Sequence, residues 1–263
     1  MITYILQLLV KSPLYPHWLS GKKMQENIDY ITRGLNGTIL EVGAGDGAKK
    51  EAFMKKHKRI KKYIVTDYSS WDTEFDKFDP KKNKFGKYTQ PIFGFNKRVP
   101  LDKVCDAMNL PFKKNSFDYH MSFSVLEHIR DPYVYFKEAV KVVKPKKYII
   151  VNVPYMYRMH GGEPDHKMDF FRYSYGFFYD IAVRNNLKIV KIYSNSGFGT
   201  TLASLTNQWL IRRIMEGNIV EKAFYLLICP FIFLFVNVVG YLIDLKPDKR
   251  FATDFSIKLQ KIA

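Results

Sequence analysis

A run of apolar residues that ends in three glycines spaced two apart constrains the fold of this chain more than any other feature. The run extends from Thr38 to Gly47 and reads Thr-Ile-Leu-Glu-Val-Gly-Ala-Gly-Asp-Gly. Glycine adopts positive φ values and lacks a Cβ, so a strand can turn sharply into a helix while main-chain N–H groups approach a ligand closely. The run therefore predicts a strand, a tight loop that meets a nucleotide-type cofactor, and a helix that begins near Ala48.

The spacing of these glycines alone leaves the cofactor open. Gly43, Gly45 and Ala48 also satisfy the G-x-G-x-x-[GA] pattern of dinucleotide-binding folds. Roughly twenty residues further on, the β-rich run Lys62 to Asp67 ends in an acid, where the end of a second strand would meet a ribose diol. An acid in that place fits both NAD and S-adenosylmethionine.

Motifs further along the chain separate these two cofactors. They are Val104 to Phe112, Ser116 to Tyr119 and Val125 to Ile129. Together with the glycine run, these motifs resemble the ordered signature of class I S-adenosylmethionine-dependent methyltransferases, and in particular methyltransferase type 11. The resemblance extends from Ile39 to Asn195 and departs from the family at Pro145-Lys146-Lys147, where the family usually has Pro-Gly-Gly. The matching positions are Glu41, Asp67, Asp106, Asp118, Glu127, Lys144 and Pro145.

The resemblance implies S-adenosylmethionine as the cofactor and suggests which residues contact it. The glycine loop would contact the amino-acid and sugar portion, Glu41 would support that loop, and Asp67 would accept hydrogen bonds from the ribose hydroxyls. The adenine amino group would donate to Asp106, and Ser122 and Phe123 would close the far side of the pocket. The predicted cofactor-binding residues are Glu41, Gly43, Ala44, Gly45, Gly47, Asp67, Tyr68, Asp106, Ala107, Met108, Ser122 and Phe123.

Strands that alternate with helices predict a Rossmann-like α/β fold with a mainly parallel sheet, right-handed crossovers and helices on both faces. The predicted strands are Thr38 to Val42, Tyr63 to Thr66, Lys103 to Cys105, Tyr119 to Phe123, Tyr148 to Val153 and Lys188 to Tyr193. We expect helices at Tyr133 to Val143, which Pro145 stops, and at Tyr175 to Asn185. The resemblance adds a seventh, antiparallel strand, and the alternation of apolar and polar residues from Phe255 to Leu259 matches it.

These elements divide the chain into a methyltransferase core and a hydrophobic helical insertion before the last strand. We expect an N-terminal helical segment at 1–37, the cofactor-binding core at 38–198, the insertion at 199–250 and the closing strand at 251–263. Residues 71–100 form a further insertion within the core. The apolar patch Ile2 to Val10 lacks a basic region before it and a cleavage site after it, so we expect a packing helix of a cytoplasmic protein.

The longest apolar segment, Ala223 to Ile243, has about 21 residues without a charge and would be ~31 Å long as a helix, enough to cross a bilayer core. A single span would place the closing strand across the membrane from its sheet, and Pro230 interrupts the run. We therefore expect a helical hairpin that lies on an anionic membrane at its cytoplasmic face; the alternatives are a buried helix and a homodimer face. A basic amphipathic segment before this apolar run would also meet the membrane. It would contain Leu205, Trp209, Arg212, Arg213 and Ile214.

The loop after strand five carries the candidate catalytic residues. Pro154 to Tyr173 resembles the P-x-x-x-x-x-H…P…D-x-x-R-[YF] stretch of methyltransferases encoded with cell-surface glycan and glycolipid genes, which implies O-methylation of a sugar, nucleotide-sugar or lipid-linked acceptor. His160 could take the proton of a hydroxyl, Asp169 could orient the imidazole, and Arg172 could hold a phosphate or carboxylate. Alternatively, Asp169 and Arg172 form an i,i+3 pair that fixes the loop.

The net charge of +17 favours an anionic partner, such as a membrane face, a lipid phosphate, a nucleotide-sugar or nucleic acid, or simply a solvated basic surface. An RNA methyltransferase is therefore one alternative, although the sequence shows no appended RNA-binding module. A catalytically silent scaffold that binds the cofactor or a membrane is the other.

Metal and disulfide chemistry are not expected. Cys105 and Cys229 lie in unrelated contexts and do not indicate a disulfide or a metal knuckle. Glu127, His128 and His160 could together bind a metal, but a Glu-His pair after strand four is commonplace in metal-free relatives. We therefore expect no metal.

Overall fold

The structure is a computed structural model that describes residues 9, 11–45, 47–68, 100–160 and 168–263. The strands within these residues are β1 (Gly37–Val42), β2 (Ile60–Asp67), β3 (Lys103–Val104), β4 (Phe117–Phe123), β5 (Val143–Pro154), β6 (Leu187–Tyr193) and β7 (Asp254–Lys261). The α-helices are α1 (Trp18–Ile31), α2 (Ala48–Lys56), α3 (Pro132–Val142), α4 (Tyr175–Arg184), α5 (Phe198–Glu216) and α6 (Ile219–Ile243). Short 3₁₀ turns lie at Leu126–His128 and Lys249–Phe251.

The strands form one sheet in the order β3-β2-β1-β4-β5-β7-β6. Strands β1 to β5 pair in parallel, and β7 is antiparallel to β6. This confirms the predicted seven-stranded Rossmann-like sheet with an antiparallel last strand. Because β1 to β4 run in one direction, the loops that follow them all leave from one side of the sheet, which we call the carboxyl edge.

Burial explains why these segments form the centre of the sheet. Every residue of β4 is buried, as are the last four of β1, so both strands are covered on their two faces. Helix α3 begins where the Asp131 carboxylate accepts hydrogen bonds from the backbone N–H groups of Tyr133 and Val134, both at 3.0 Å. Its buried residues include Phe136 and Ala139, which recur at the helical period.

Strand five is longer than the sequence predicts. The prediction began it at Tyr148, but β5 begins at Val143 and contains Pro145. Val143 is fully buried and pairs with Phe117, and the register shifts between Phe117 and Tyr119. A proline is tolerated at such an irregularity because the regular ladder of hydrogen bonds is interrupted there.

The chain divides into two compact units. One consists of residues 1–29, 154–159 and 194–255 and contains α5 and α6, and the other consists of residues 30–153, 160–193 and 256–263 and contains most of the sheet. The boundaries expected at residues 37, 198 and 250 stay a prediction. The expected insertion at 71–100 and the apolar patch Ile2 to Val10 lie outside the described residues, except for Pro100 and Leu9.

Helices α5 and α6 pack closely through glycine. A Cβ added at Gly199 would lie 2.2 Å from the carbonyl oxygen of Gly240, so a side chain at Gly199 would force the two backbones apart. The Asp244 carboxylate, directly after α6, accepts hydrogen bonds from the backbone N–H groups of Gly197, Gly199 and Thr200 at 2.8–3.0 Å. It therefore caps the start of α5 and ties the ends of the two helices together.

Helix α6 buries one stripe and exposes the opposite one. The buried stripe includes Asn237, whose side-chain amide donates hydrogen bonds to the carbonyls of Pro13 and Tyr15 at 2.8 and 2.9 Å. Leu227 and Phe231, both 71% exposed, lie on the opposite stripe. Among the described helices, α6 is long and apolar enough to cross a membrane. The other large apolar side chains of α6 that are more than half exposed are Ile219, Val220, Phe224, Leu226, Phe235 and Leu242.

Candidate active site

The glycine loop leaves β1 at the carboxyl edge in a left-handed conformation. Gly43, Gly45 and Gly47 have φ values of 67°, 59° and 67°, which disfavour any residue with a Cβ. A Cβ at Gly43 would also lie 2.3 Å from Cγ2 of Val125. The N–H of Ala44 donates to the carbonyl of Thr66 at 3.0 Å, which attaches the loop to the end of β2.

The two acids nearest this loop have different environments. Asp67, at the end of β2, accepts hydrogen bonds from the N–H of Gly45 at 2.8 Å and from the N–H of Tyr68 at 2.6 Å. Glu41 is buried and accepts from the hydroxyl of Tyr63 at 2.8 Å. Burial, reinforced by the neighbouring Glu41 carboxylate, raises the pKa of Tyr63 well above its usual range. Asp67 therefore orders the loop from the partly exposed side, whereas the buried Glu41 carboxylate is bonded to Tyr63 of β2. Support of the loop by Glu41 stays a prediction.

The loop after β3 forms a short turn around Asp106. Its carboxylate accepts a hydrogen bond from the N–H of Met108 at 2.8 Å, and Ala107 between them is buried. This is the arrangement in which an aspartate holds its own backbone in a turn. The structure thus places Asp106, Ala107 and Met108 in one compact loop.

At the end of β4, the side chains of Ser122 and Phe123 are buried and contact other side chains of the protein. The Ser122 hydroxyl is fully buried and lies 2.7 Å from the hydroxyl of Tyr135, to which it hydrogen bonds. Phe123 stacks on Phe53 of α2 with ring centroids 5.9 Å apart. Of the predicted cofactor-binding residues, Tyr68 is the most exposed, at 71%.

The register of the sheet brings these loops together. Val42 pairs with Thr66 and Asp67 pairs with Val104, so the ends of β1, β2 and β3 are adjacent. The carboxyl edge therefore offers backbone N–H groups, a carboxylate beside the glycine loop and a second carboxylate one strand further out. This set of donors and acceptors fits the amino-acid, ribose and adenine portions of S-adenosylmethionine.

A second group of polar residues lies after β4. The Glu127 side chain is fully buried, and its Oε1 lies 3.5 Å from Nε2 of His160 and 3.8 Å from Nε2 of His128. The N–H of Phe170 donates to the Glu127 carbonyl at 2.8 Å, which brings the loop after β5 against the 3₁₀ turn. Sequence analysis placed His160 in a catalytic role, but nothing in the sequence showed that Glu127 would be buried against it.

Asp169 and Arg172 form the i,i+3 pair that the sequence offered as an alternative. Arg172 Nη1 and Nη2 lie 2.5 and 2.8 Å from the two carboxylate oxygens of Asp169, a bidentate arrangement. Asp169 also accepts a hydrogen bond from the backbone N–H of His160 at 2.7 Å, and its Oδ2 lies 3.6 Å from His160 Nδ1. Burial alone would raise the pKa of Asp169, but the hydrogen bonds from Arg172 and His160 hold it below its usual range. The pair thus fixes the loop and positions the His160 imidazole.

A pocket of about 480 Å³ lies beside this group. Phe171 and Tyr173, from the loop after β5, line the pocket. Arg130, Tyr133 and Phe177 also line it, and they were not predicted because they lie outside the loop after β5 in the sequence. The remaining lining residues are Asp131, Pro132, Arg172 and Ser174.

The sheet order, the glycine loop after β1 and the acids after β2 and β3 define a class I methyltransferase fold, and comparison with known proteins agrees. Residues 40–151 match the family model of a methyltransferase domain. Residues 40–151 are therefore similar to a methyltransferase domain, and this similarity supports an S-adenosylmethionine-dependent methyltransferase with S-adenosylmethionine as its cofactor.

Individual relatives are distant. Norajmaline N-methyltransferase of Rauvolfia serpentina is 33% identical over 58 residues, which cover 22% of this chain and only 20% of that enzyme. A chain from the complex between the Haloferax volcanii Trm112 methyltransferase activator and a methyltransferase superposes with a TM-score of 0.54 at 14% identity, covering 95% of both chains. Phosphoethanolamine N-methyltransferase 2 of Haemonchus contortus, solved with S-adenosyl-L-methionine, gives a TM-score of 0.52 at 14% identity, covering 95% of this chain and 56% of that one. At these identities, the structural similarity concerns the fold.

Proposed function

We propose that this protein transfers a methyl group from S-adenosylmethionine to a hydroxyl of a sugar, nucleotide-sugar or lipid-linked glycan. The observation that carries the proposal is the group formed by Glu127, His160 and Asp169. A histidine lies between two carboxylates at the carboxyl edge, where β4 ends beside the glycine loop. A hydroxyl acceptor needs such a group because it must lose a proton when it is methylated.

When bound, S-adenosylmethionine supplies an activated methyl group on a sulfonium, so the new O–C bond forms as the S–C bond breaks and the electron pair stays on sulfur. The protein's contribution is to position the acceptor and accept the hydroxyl proton. His160 Nε2 faces the buried Glu127 carboxylate, and an imidazolium formed there would lie between two negative charges. Asp169 would hold His160 in place, because its carboxylate accepts hydrogen bonds from the His160 backbone N–H and from the Arg172 guanidinium. The role of His160 as the base stays a prediction.

The acceptor class is supported by the pocket next to this group. Its aromatic walls, Tyr133, Phe171 and Phe177, offer flat apolar surfaces, and Arg130 offers a guanidinium. Aromatic faces with a few polar groups suit a sugar ring, and a guanidinium suits a phosphate or carboxylate on it.

We further propose that the protein associates with an anionic membrane surface through the exposed stripe of α6. Phe224, Leu227, Phe231 and Phe235 recur at helical spacing on this stripe, and each is more than half exposed. The continuous helix of 25 residues carries few charges, while the chain as a whole is strongly basic. An apolar stripe on a basic protein is typical of helices that lie in the membrane interface.

Two assays test these proposals. Methyl-labelled S-adenosylmethionine is supplied with nucleotide-sugars, lipid-linked glycans or RNA, and we expect label in a sugar-containing acceptor as an O-methyl ether. His160→Ala should lower turnover at least tenfold with the affinity for S-adenosylmethionine unchanged, whereas His57→Ala should have no effect. Labelling of RNA alone would instead favour the nucleic-acid methyltransferase.

For the membrane, Phe231→Asp should reduce pelleting with anionic liposomes. Val183→Asp is the matched control, because Val183 is also apolar and 84% exposed but lies on α4. Equal pelleting of the two variants and the unmodified protein would contradict the membrane proposal. A pelleting result has no bearing on the methyl-transfer proposal.

A further inference from the structure

The Glu127 carboxylate has an unusual environment. Its side chain is fully buried, and neither of its oxygens has a hydrogen-bond partner among the described residues. Burying an ionised carboxylate is costly unless a positive charge or several hydrogen bonds compensate. A positive charge beside this carboxylate would offset that cost.

Two imidazoles lie where ligands of such a cation would be. One nitrogen of His128, one of His160 and one oxygen of Glu127 all lie within 4.8 Å of one another. The two measured distances to Glu127 Oε1 are 3.5 and 3.8 Å. Metal–ligand bonds of about 2.0–2.2 Å place neighbouring ligand atoms about 3 to 4 Å apart, so these atoms need to move little to share one ion.

The second nitrogen of His128 contacts a carbonyl, as in metal ligands, and that of His160 lies near a carboxylate. His128 Nδ1 lies 2.6 Å from the carbonyl oxygen of Met168. A carbonyl only accepts, so Nδ1 carries the hydrogen, and a neutral ring directs the lone pair of Nε2 toward Glu127. His160 Nδ1 faces the Asp169 carboxylate at 3.6 Å. Metal-binding histidines commonly use their other nitrogen to contact a carbonyl or carboxylate in this way.

Charge and access also suit a bound ion. Arg172 Nη2 lies 3.5 Å from His160 Nδ1, but its bidentate pair with Asp169 offsets the guanidinium charge. The side chains of His128 and His160 are 27% and 24% exposed, whereas that of Glu127 is inaccessible. An ion held by these three residues would therefore keep coordination positions on the solvent side.

We propose that Glu127, His128 and His160 bind one divalent first-row transition-metal ion, whose remaining positions take the acceptor hydroxyl. Two imidazoles and one carboxylate favour Zn²⁺, Co²⁺ or Fe²⁺ over Mg²⁺ and Ca²⁺, which prefer oxygen ligands. An acceptor oxygen on the ion would give up its proton to water more readily, and His160 would then be a ligand of the ion instead of the base named under the proposed function. The role in acceptor activation rests on the proposed function; the binding of the ion does not.

To test this, the whole chain is freed of metal with a chelator and then titrated in a calorimeter with Co²⁺ and with Zn²⁺. We expect one ion per chain, Zn²⁺ bound more tightly than Co²⁺, no comparable heat with Mg²⁺, and visible Co²⁺ bands in the absorption spectrum. Glu127→Gln, His128→Gln and His160→Gln should each weaken binding at least tenfold. His57→Gln is the matched control and should bind as the unmodified protein does. S-adenosylmethionine binding by each variant shows that it is folded.

Absence of saturable ion binding would overturn the inference, as would equal affinity in Glu127→Gln and His57→Gln. If S-adenosylmethionine binds and methyl transfer proceeds without a metal, the metal inference fails and the proposed function stands. If the ion binds at these residues but no acceptor is methylated, the proposed function fails and the metal site stands.

Discussion

Replacing Gly43 with alanine tests whether the glycine loop has the geometry described above. Gly43 has a positive φ, and a Cβ there would lie 2.3 and 2.7 Å from the two γ carbons of Val125. Gly34 is the matched control: its φ is also positive, at 79°, but a Cβ there would meet nothing within 4 Å. Comparing the two alanine variants separates the free-energy cost of the backbone conformation from the cost of the clash with Val125.

The left-handed conformation should cost about 1–2 kcal/mol in either alanine variant. The clash at Gly43 should add about 1–3 kcal/mol, typical of overpacking, because Val125 must move. We therefore expect Gly34→Ala to lower the free energy of unfolding by about 1–2 kcal/mol and Gly43→Ala by about 2–5 kcal/mol. Movement of the loop should also weaken S-adenosylmethionine binding, by roughly tenfold or more, only in Gly43→Ala.

Urea denaturation followed by circular dichroism measures the two stabilities, and calorimetry measures the affinity for the cofactor. Equal destabilisation in the two variants would show that Val125 does not restrict the loop. Unchanged cofactor affinity in Gly43→Ala would refute the assignment of this loop to cofactor binding.

Three further predictions concern carboxylates and a buried histidine. Asp67→Ala should weaken S-adenosylmethionine binding by about 1–3 kcal/mol, because the Gly45 N–H and the ribose hydroxyls lose their acceptor; unaltered binding in calorimetry would contradict this. Burial alone would raise the pKa of Asp118, but hydrogen bonds from Thr38, Lys144 and Lys147 lower it to about 2. A carboxylate with a depressed pKa stabilises the fold above about pH 4 and stops doing so as pH falls toward 2. After allowance for solvent screening, Asp118→Asn should therefore be about 1 kcal/mol less stable at pH 7, and this deficit should shrink over that window. A deficit independent of pH would refute the assignment. Burial lowers the pKa of His120 to about 3, so the unfolded chain binds its proton first and stability falls as pH drops from 6.5 toward 3. Urea melts of His120→Leu should show a shallower loss between pH 6.5 and 4.5 than the unmodified protein, by about 1–3 kcal/mol, and parallel curves would contradict this.

The sequence predicts much of the sheet because local signals agree with it. The apolar run before Gly43 forms a strand whose last four residues are buried, as its composition predicts. The positions of Asp67 and Asp106 follow from where β2 and β3 end. The predicted start of strand five was wrong for a tertiary reason: Val143 pairs with Phe117 through the sheet, which local sequence does not show.

The candidate site was less predictable because its contacts join distant parts of the chain. Glu127 and His160 are 33 positions apart by their numbering, and only folding shows that the carboxylate is buried beside the imidazole. Asn237 reads in sequence as an interruption of an apolar helix. In the structure, it is the residue that attaches α6 to Pro13 and Tyr15.

Isothermal titration of the purified protein with S-adenosylmethionine, S-adenosylhomocysteine and NAD shows which cofactor the carboxyl edge binds. The glycine loop with Asp67 and Asp106 predicts saturable binding of the first two, at one molecule per chain, and no binding of NAD. Binding of NAD, or of none of the three, would contradict the account of the carboxyl edge as a methyltransferase cofactor site.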